Sequence, residues 1–260
     1  MHEEKNSQEE IRIDADLHTH TLASGHAYGT IDEMAASAAG RGLKMIAITD
    51  HGPRMPGAFH RYYFGNLSAV PRQLHGVEIL KGVETNIQTD GSLDMPREEL
   101  LSLDFVCAGL HTDAGYEGKS KKDHTRALLK AISHPLVDMI THPINRSLPC
   151  DLPEVVRQAR KEDVILEINA ASYAGGVTSF RGDIDAMKDL CHLALRYDSL
   201  TLSLNSDAHF HTNVGEVSDV LNMVIDAGLS AERLINSNLD KTKEFLERRD
   251  SPREKEKDGS

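Results

Sequence analysis

The sequence has no tryptophan, 5% aromatic residues and three cysteines among 260 residues. Cys107, Cys150 and Cys191 are far apart and form no Cys-x-x-Cys pair, so neither a disulfide framework nor a thiolate zinc site is expected. Such sparse cysteine is typical of a reducing compartment, and we expect the protein in the cytoplasm.

Long apolar runs and an excess of positive charge are also missing. No apolar run is long enough to cross a bilayer, and the charged residues 1–10 lack the apolar segment of a secretion signal. Lysine and arginine number 29 against 41 acidic residues, a net charge of -12, which disfavours a broad basic face for nucleic acid. We therefore expect no membrane and no extended nucleic-acid partner, whereas bound cations could still attract a small anionic substrate.

The sequence does contain a steady alternation of short apolar strands and helices. Seven strands are predicted near residues 11–20, 43–49, 77–83, 105–110, 136–141, 164–169 and 200–205. Such alternation indicates parallel pairing through right-handed crossovers, in a closed barrel or an open doubly wound sheet. Residues 234–236 are too short to count as an eighth strand, so we favour an α/β fold with a distorted seven-stranded parallel (β/α)7 barrel.

One hydrolase domain over residues 11–247 is expected from the length of the chain. Residues 1–10 and 248–260 are charged and nearly free of apolar side chains, and we expect both to be disordered tails. The last helix is predicted over 238–246 and another over 66–74, and Asp90-Gly91 predicts a hairpin.

Residues 16–20 carry the first chemical signal, because His18 and His20 are two residues apart in a strand. Side chains at such positions leave the same face, so both imidazoles can converge on one metal ion. Asp16 is predicted to lie on that face behind them. A His-x-His pair also occurs on solvated strands, so this pair alone is a weak signal.

The same pattern recurs at the ends of other predicted strands, which share one rim in a parallel α/β fold. Glu167 and Asn169 end a further strand and could hydrogen-bond the ligating histidines. One isolated histidine is more often a solvated loop residue, but chance would scatter nine ligands over the whole molecule. The candidate metal ligands are His18, His20, His26, His51, Glu84, His111, His142, Asp207 and His209.

Nine nitrogen and oxygen ligands exceed the needs of one ion, so two or three divalent ions are predicted, with zinc, manganese or iron suiting this donor set. Clustered divalent ions clamp phosphate oxygens and acidify bound water. No Ser-His-Asp nucleophile or phosphate-binding glycine loop is found. We therefore predict hydrolysis of a phosphate ester by a metal-bound hydroxide, without a protein nucleophile.

Taken together, the motifs resemble the PHP (polymerase and histidinol phosphatase) family, most closely its YcdX-like stand-alone bacterial phosphatase branch, over about residues 11–247. The motifs are Asp16-Leu-His18-Thr-His20, Ala23-Ser-Gly-His26-Ala-Tyr, Ala47-Ile-Thr-Asp-His51-Gly-Pro, Gly82-Val-Glu84-Thr-Asn, Ala108-Gly-Leu-His111, Ile140-Thr-His142-Pro, Leu166-Glu-Ile-Asn169 and Ser206-Asp207-Ala-His209. The resemblance implies a distorted seven-stranded barrel with a trinuclear metal centre, zinc being favoured, and suggests a homo-oligomer, a trimer in the similar proteins.

The resemblance also implies a division of the ligands among three ions. The first ion would take His18, His20, Glu84 and Asp207; Glu84 would bridge to a second ion with His111 and His142; and His26, His51 and His209 would hold a third. The loops at 112–122 and 170–181 depart from the family, so the identity of the substrate does not transfer. Loop cations that could meet a phosphate are Arg54, Lys119, Arg146 and Arg181.

Several readings compete with a phosphatase acting on a phosphate monoester of a small metabolite. Amidohydrolases are also barrel hydrolases with a His-x-His pair on the first strand, but in their pattern a lysine bridges the metal ions. Glu84 takes the bridging position here. A phosphodiesterase or nuclease acting on nucleic-acid ends is disfavoured by the acidic balance. A non-enzymatic metal-stabilised scaffold would not need so many ligands open to solvent at one rim.

Overall fold

The structure is a computed structural model that describes residues 12–173 and 182–258, so the predicted tail at 1–10 and the loop cation Arg181 lie outside the described residues. Its strands are β1 (Ala15–Thr19), β2 (Met45–Ile48), β3 (Gln73–Leu74), β4 (Val77–Asn86), β5 (Phe105–Gly109), β6 (Met139–Ile140), β7 (Ile165–Asn169) and β8 (Leu202–Asn205). Its α-helices are α1 (Ile31–Gly40), α2 (Tyr62–Asn66), α3 (Arg97–Leu100), α4 (Lys121–Ile132), α5 (Leu152–Glu162), α6 (Ile184–Arg196), α7 (Ser218–Asp226) and α8 (Leu239–Asp258).

Seven parallel strands follow one another in the order β1-β2-β4-β5-β6-β7-β8, and β3 pairs antiparallel with β4 outside this path. Helices lie between the strands, so the sheet curls into a nearly closed barrel with its carboxyl ends at one rim. The predicted distorted (β/α)7 barrel is confirmed. No helix of the described chain combines the length and the apolar character needed to span a bilayer.

Between β1 and β8 the described backbone forms a single bridge, from Thr19 to Ala208, and side chains close the rest of the seam. Asn236 Nδ2 donates to the carbonyl oxygens of Ala15 (2.8 Å) and Leu204 (2.7 Å), and its Oδ1 accepts from the amide of Leu204 (3.1 Å). A single bridge between Leu202 and Leu234 is all that residues 234–236 add as a strand. The irregular closure that the short 234–236 segment predicts is therefore made by an asparagine amide together with one backbone bridge.

Strand β4 belongs to both halves of the barrel. It pairs with β2 over residues 78–81 and with β5 over residues 82–86, and a further bridge joins Glu84 to His51 on the β2 side. A Cβ at Gly82 would lie 2.7 Å from the carbonyl oxygen of Phe105, which is closer than side chains approach. The glycine thus permits the close approach of β5 where its pairing with β4 begins, two residues before Glu84.

The barrel interior is filled by one apolar residue layer and closed from below by α8. Leu17, Met45, Phe105 and Met139 share a buried cluster with Phe245 of α8, while a larger cluster fills the space between the strands and the outer helices. The apolar floor leaves the opposite, carboxyl rim for polar side chains.

Two local predictions are wrong. The chain over 66–74 is not one helix but the end of α2, a single 3-10 turn and β3. His75 and Gly76 both have positive φ, 50° and 83°, as a two-residue hairpin turn into β4 requires. The hairpin predicted at Asp90-Gly91 is present, with Ile87 bridged antiparallel to Leu93.

The second error is the end of the last helix, because α8 continues past Leu246 to Asp258. Arg249 accounts for the first residues of this continuation: its guanidinium donates to Asp138 Oδ1 (3.2 Å) and to the carbonyl oxygens of Glu162 (3.0 Å) and Val137 (2.6 Å). These long-range contacts outweigh the poor apolar content of the segment. The division into one domain with disordered tails stays a prediction.

The first prediction compares Arg249→Ala with Arg248→Ala. Arg249 is 13% exposed and faces a fully buried carboxylate, so its loss should cost about 3 kcal/mol of unfolding free energy. Arg248 is 56% exposed and pairs with the exposed Asp163 at 3.4 Å, so its loss should cost at most about 0.5 kcal/mol. Urea unfolding at one fixed metal concentration measures both, and equal small losses would show that residues beyond 247 add nothing to stability.

Candidate metal centre

The structure brings all nine predicted ligands together at the carboxyl rim of the barrel. Three sets of donor atoms lie within 4.8 Å of one another: His18, His20 and Asp207; His51, Glu84 and His111; and His20, His51 and His209. His142 and His26 join them through His111 and His209, whose Nε2 atoms are 3.3 Å and 3.1 Å from theirs. The distances between the donor atoms divide them into three groups.

The first group surrounds the innermost point. His18 Nε2 and His20 Nε2 are 3.0 Å apart, and Glu84 Oε2 is 3.3 Å and 3.5 Å from them. Asp207 Oδ1 completes the group at 3.5 Å and 3.1 Å from the same nitrogens. Ligands 2.0–2.1 Å from a tetrahedral ion lie about 3.3–3.4 Å from one another, so these four atoms have the spacing of a coordination shell.

The second group uses the other oxygen of the same carboxylate. Glu84 Oε1 lies 3.4 Å from His111 Nε2 and 3.0 Å from His142 Nε2. The two oxygens of Glu84 therefore face two different sets of imidazoles. A bridging carboxylate requires this arrangement.

The third group lies nearest to solvent. The Nε2 atoms of His26 and His209 are 3.1 Å apart, and the ring of His51 stacks on that of His26 with centroids 5.0 Å apart. His51 Nδ1 also lies 2.9 Å from Glu84 Oε2. His51 thus contacts both the solvent-side histidines and the central carboxylate, whereas the family resemblance places it in the third group alone.

Hydrogen bonds fix which nitrogen of three histidines carries the proton. His18 Nδ1 faces Glu167 Oε1 (2.8 Å), His209 Nδ1 faces the carbonyl oxygen of Asp207 (3.0 Å), and each partner can only accept. His111 Nδ1 faces Asn86 Oδ1 at 2.8 Å. With the imidazoles neutral, as metal binding requires, their Nε2 atoms therefore present lone pairs to the centre.

Lone pairs that face one another, and buried acceptors without a hydrogen-bond partner, indicate whether the site fits a cation. Glu84 Oε2, Asp207 Oδ1 and His51 Nδ1 are buried without a hydrogen-bond partner, although all three point into the cluster. Buried acceptors that face one another at 3.0–3.5 Å repel unless positive charge lies between them. The donor set therefore fits bound cations, and the mix of imidazole and carboxylate suits zinc, manganese or iron.

The pKa shifts follow the same charges. Burial opposes ionisation of Glu84 and Asp207, but the surrounding imidazoles together outweigh it and hold the pKa of each carboxyl well below its usual range. Burial lowers the pKa of His20, and of His51 to about 4. Burial also disfavours charge on His18, but Glu167, Asp207 and Glu84 raise its pKa well above the ordinary value.

Glu167 and Asn169 hold the rim together, as the sequence predicts. Glu167 Oε2 accepts from the amide of His142 (2.7 Å) while its Oε1 contacts His18. Asn169 Nδ2 donates to Glu167 Oε2 and to Asp207 Oδ2, both at 3.1 Å. One carboxylate and one amide therefore orient ligands of both inner groups.

Asp16 does not lie behind the imidazoles. A register shift between Asp16 and Thr19 interrupts the alternation of β1, and Asp16 instead accepts from the amides of Ser206 (3.1 Å) and Gly215 (2.8 Å). The Ser206 hydroxyl also donates to it. Asp16 thereby secures the turn at Asp207, whose φ of 52° is left-handed and costly for a residue with a side chain.

Several supporting residues are not among the candidate ligands that the sequence predicts. Thr141 Oγ1 donates to Glu84 Oε1 at 2.5 Å, and the amide of Asn86 is oriented by Asp94 (2.6 Å). A Cβ at Gly109 would lie 2.8 Å from Glu84 Oε1, so only glycine leaves room there. Thr141, Asn86 and Gly109 each lie within two residues of a predicted ligand, and this proximity is the signal that could have found them.

A cavity of about 790 Å³ opens above the metal centre, a volume typical of small-molecule sites. Its wall combines Met55, Leu110 and Leu148 with the polar side chains of Asn145 and Ser147. Within residues 12–173 and 182–258, no lysine or arginine lines it, so Arg54, Lys119 and Arg146 do not contact this space. Among the residues that the structure describes, the metal centre is therefore the source of positive charge for an anionic ligand.

The chain matches the family model described as PHP domain over residues 16–171. It is 40% identical over 238 residues to a protein named "Probable phosphatase" from Caldanaerobacter subterraneus, covering 91% of this chain and 92% of that one. It is 42% identical over 236 residues to another of that name from Syntrophotalea carbinolica, covering 91% and 97%.

Solved structures share the fold. The histidinol phosphate phosphatase of Lactococcus lactis, complexed with zinc, L-histidinol and phosphate, superimposes with a TM-score of 0.62 at 18% identity, covering 84% of this chain and 94% of that one. The family model spans the first seven of the nine candidate ligands, and the relatives extend the match over nine-tenths of the chain. The chain therefore belongs to the PHP domain family.

Proposed function

We propose that this protein is a metal-dependent phosphatase that hydrolyses a phosphate monoester of a small metabolite at a centre of three divalent ions. The observation that carries the proposal is Glu84, whose two buried oxygens face two separate imidazole groups. The name "Probable phosphatase" of relatives at 40% and 42% identity supports the reaction class.

The ligand division follows from the groups at the rim. His18, His20, Glu84 and Asp207 would hold one ion; Glu84, His111 and His142 a second; and His26, His51 and His209 a third. Zinc is the favoured ion, since zinc is present in a solved structure of the same fold, and the donors also suit manganese and iron. Such ions, when bound, neutralise phosphate oxygens and acidify water near them.

The protein's own residues position the reacting groups. Glu84, Glu167 and Asn169 fix the inner imidazoles, and the apolar wall of the cavity keeps bulk water from one side of a bound ester. The described part of the cavity wall has no cation to hold a second phosphate. A small monoester therefore fits better than the phosphodiester backbone of a nucleic acid, which would need a basic groove.

The second prediction tests the reaction. The purified protein should hydrolyse p-nitrophenyl phosphate much faster than bis-p-nitrophenyl phosphate, a chelator should abolish this activity, and zinc or manganese should restore it. Turnover that persists after the metal is shown to be removed would contradict the proposal. A preference for the diester would favour a phosphodiesterase instead.

The third prediction compares Glu84→Gln with Asp207→Asn. Glutamine keeps the shape of Glu84 but weakens bonds to two ions, so the variant should lose more than one ion per chain. Asparagine tolerates the left-handed backbone at residue 207 and removes a ligand of one ion, so its loss should stop at one. Metal analysis of both proteins decides, and equal losses would remove the bridging role.

The fourth prediction concerns the solvent-side group. His26 is exposed and lies in a loop, so His26→Ala should leave the melting temperature nearly unchanged while one ion is lost. kcat/KM should fall roughly 10- to 1,000-fold, the scale of removing one charge-stabilising group. His60→Ala is the control, because His60 accepts from the amide of Tyr62 outside the cluster. Full metal content and unchanged kinetics in His26→Ala would exclude His26 as a ligand.

A further inference from the structure

Ser24 lies beneath the metal centre and is completely buried. Its hydroxyl oxygen is 2.9 Å from His20 Nδ1, 3.1 Å from the amide nitrogen of His51 and 2.6 Å from Asp50 Oδ1. A hydroxyl has one proton to donate and two lone pairs to accept with. The three contacts therefore use its whole capacity.

The direction of each hydrogen bond follows from the partners. The His51 amide can only donate, and the Asp50 carboxylate can only accept, so the Ser24 proton goes to Asp50. The remaining lone pair of Ser24 must accept from His20 Nδ1. His20 is thereby held as the tautomer whose Nε2 lone pair points at Asp207 Oδ1, 3.1 Å away.

Asp50 makes this arrangement rigid. Its oxygens also accept from the amide (2.6 Å) and hydroxyl (2.8 Å) of Thr21 and from the hydroxyl of Tyr63 (2.6 Å). The carboxylate ties the end of β2 to the loop that follows β1 and to α2. Ser24 is thus fixed by a saturated network instead of being free to rotate.

We propose that Ser24 is a positioning residue that couples two ion groups of the centre, because its one hydroxyl orients the imidazole of His20 in the inner group and the backbone of His51 in the solvent-side group. The proposal rests on the ligand division under the proposed function. Ser24 is not a nucleophile, since its oxygen is sealed from the cavity and its proton is given to Asp50.

The test is Ser24→Ala with Thr21→Val as a matched control. Both changes remove one buried hydroxyl that donates to Asp50, at 2.6 Å and 2.8 Å, but only Ser24 also contacts His20 and His51. Both variants should show a similarly lowered melting temperature. Only Ser24→Ala should weaken zinc binding, about 10- to 100-fold for each of two ions, the scale known for second partners of ligating histidines.

Two measurements on the zinc-loaded proteins decide. A competition titration with a chromophoric chelator gives the affinity of each ion, and a long-range ¹H–¹⁵N spectrum follows the proton on His20 Nδ1. That proton should be protected from exchange in wild type and Thr21→Val and exposed to exchange in Ser24→Ala. A merely structural serine would leave this resonance unchanged.

The outcomes separate the two proposals. If zinc affinities in Ser24→Ala match those of Thr21→Val, or if only one ion is weakened, the coupling role of Ser24 is overturned. Hydrolysis of p-nitrophenyl phosphate by the same wild-type sample reports the proposed function independently. An inactive wild type in which Ser24→Ala still weakens two ions would overturn the phosphatase alone.

Discussion

Two buried carboxylates, Glu84 and Asp207, lie among seven imidazoles at the mouth of the barrel. Removing each charge from water costs several kcal/mol unless opposite charge is close. The imidazole lone pairs that face one another also repel unless positive charge lies between them. The strained backbone at Asp207, the glycine at 109 and the amide of Asn86 all serve to hold these acceptors near one another, so the rim makes physical sense only around cations.

The supports of the centre differ in kind from its ligands. Glu167 and Asn169 end a neighbouring strand and fix side chains directly, whereas Asp50 and Asp16 fix loops by accepting backbone amides. Strands alone would set the direction of each ligand only approximately. The carboxylates below the rim hold the loops in fixed positions relative to the strands, and so fix the ligands that those loops carry.

The strands and eight of the nine rim residues could be predicted from local patterns, because apolar runs define parallel strands and these candidate ligands lie at or within a few residues of strand ends. His26 lies in a loop outside this pattern. The seam could not be predicted, because the Asn236 side chain hydrogen-bonds to backbone more than 30 residues away and leaves no periodicity in the sequence. The end of α8 was missed for a similar reason, because Arg249 finds its acceptors across the barrel floor. The face of Asp16 was mispredicted because one extra residue in β1 shifts its register.

The seam joins β1 and β8, the first and last strands of the sheet, and this affects folding during translation. The ribosome releases the His18 segment first, and β1 has no neighbour on one edge until β8 and Asn236 appear. At about 5–20 residues per second, the interval between the first and last rim histidines is roughly 10 to 40 s. During translation the nascent chain therefore carries an uncovered strand edge, which is a template for pairing with other chains, and an incomplete set of imidazoles.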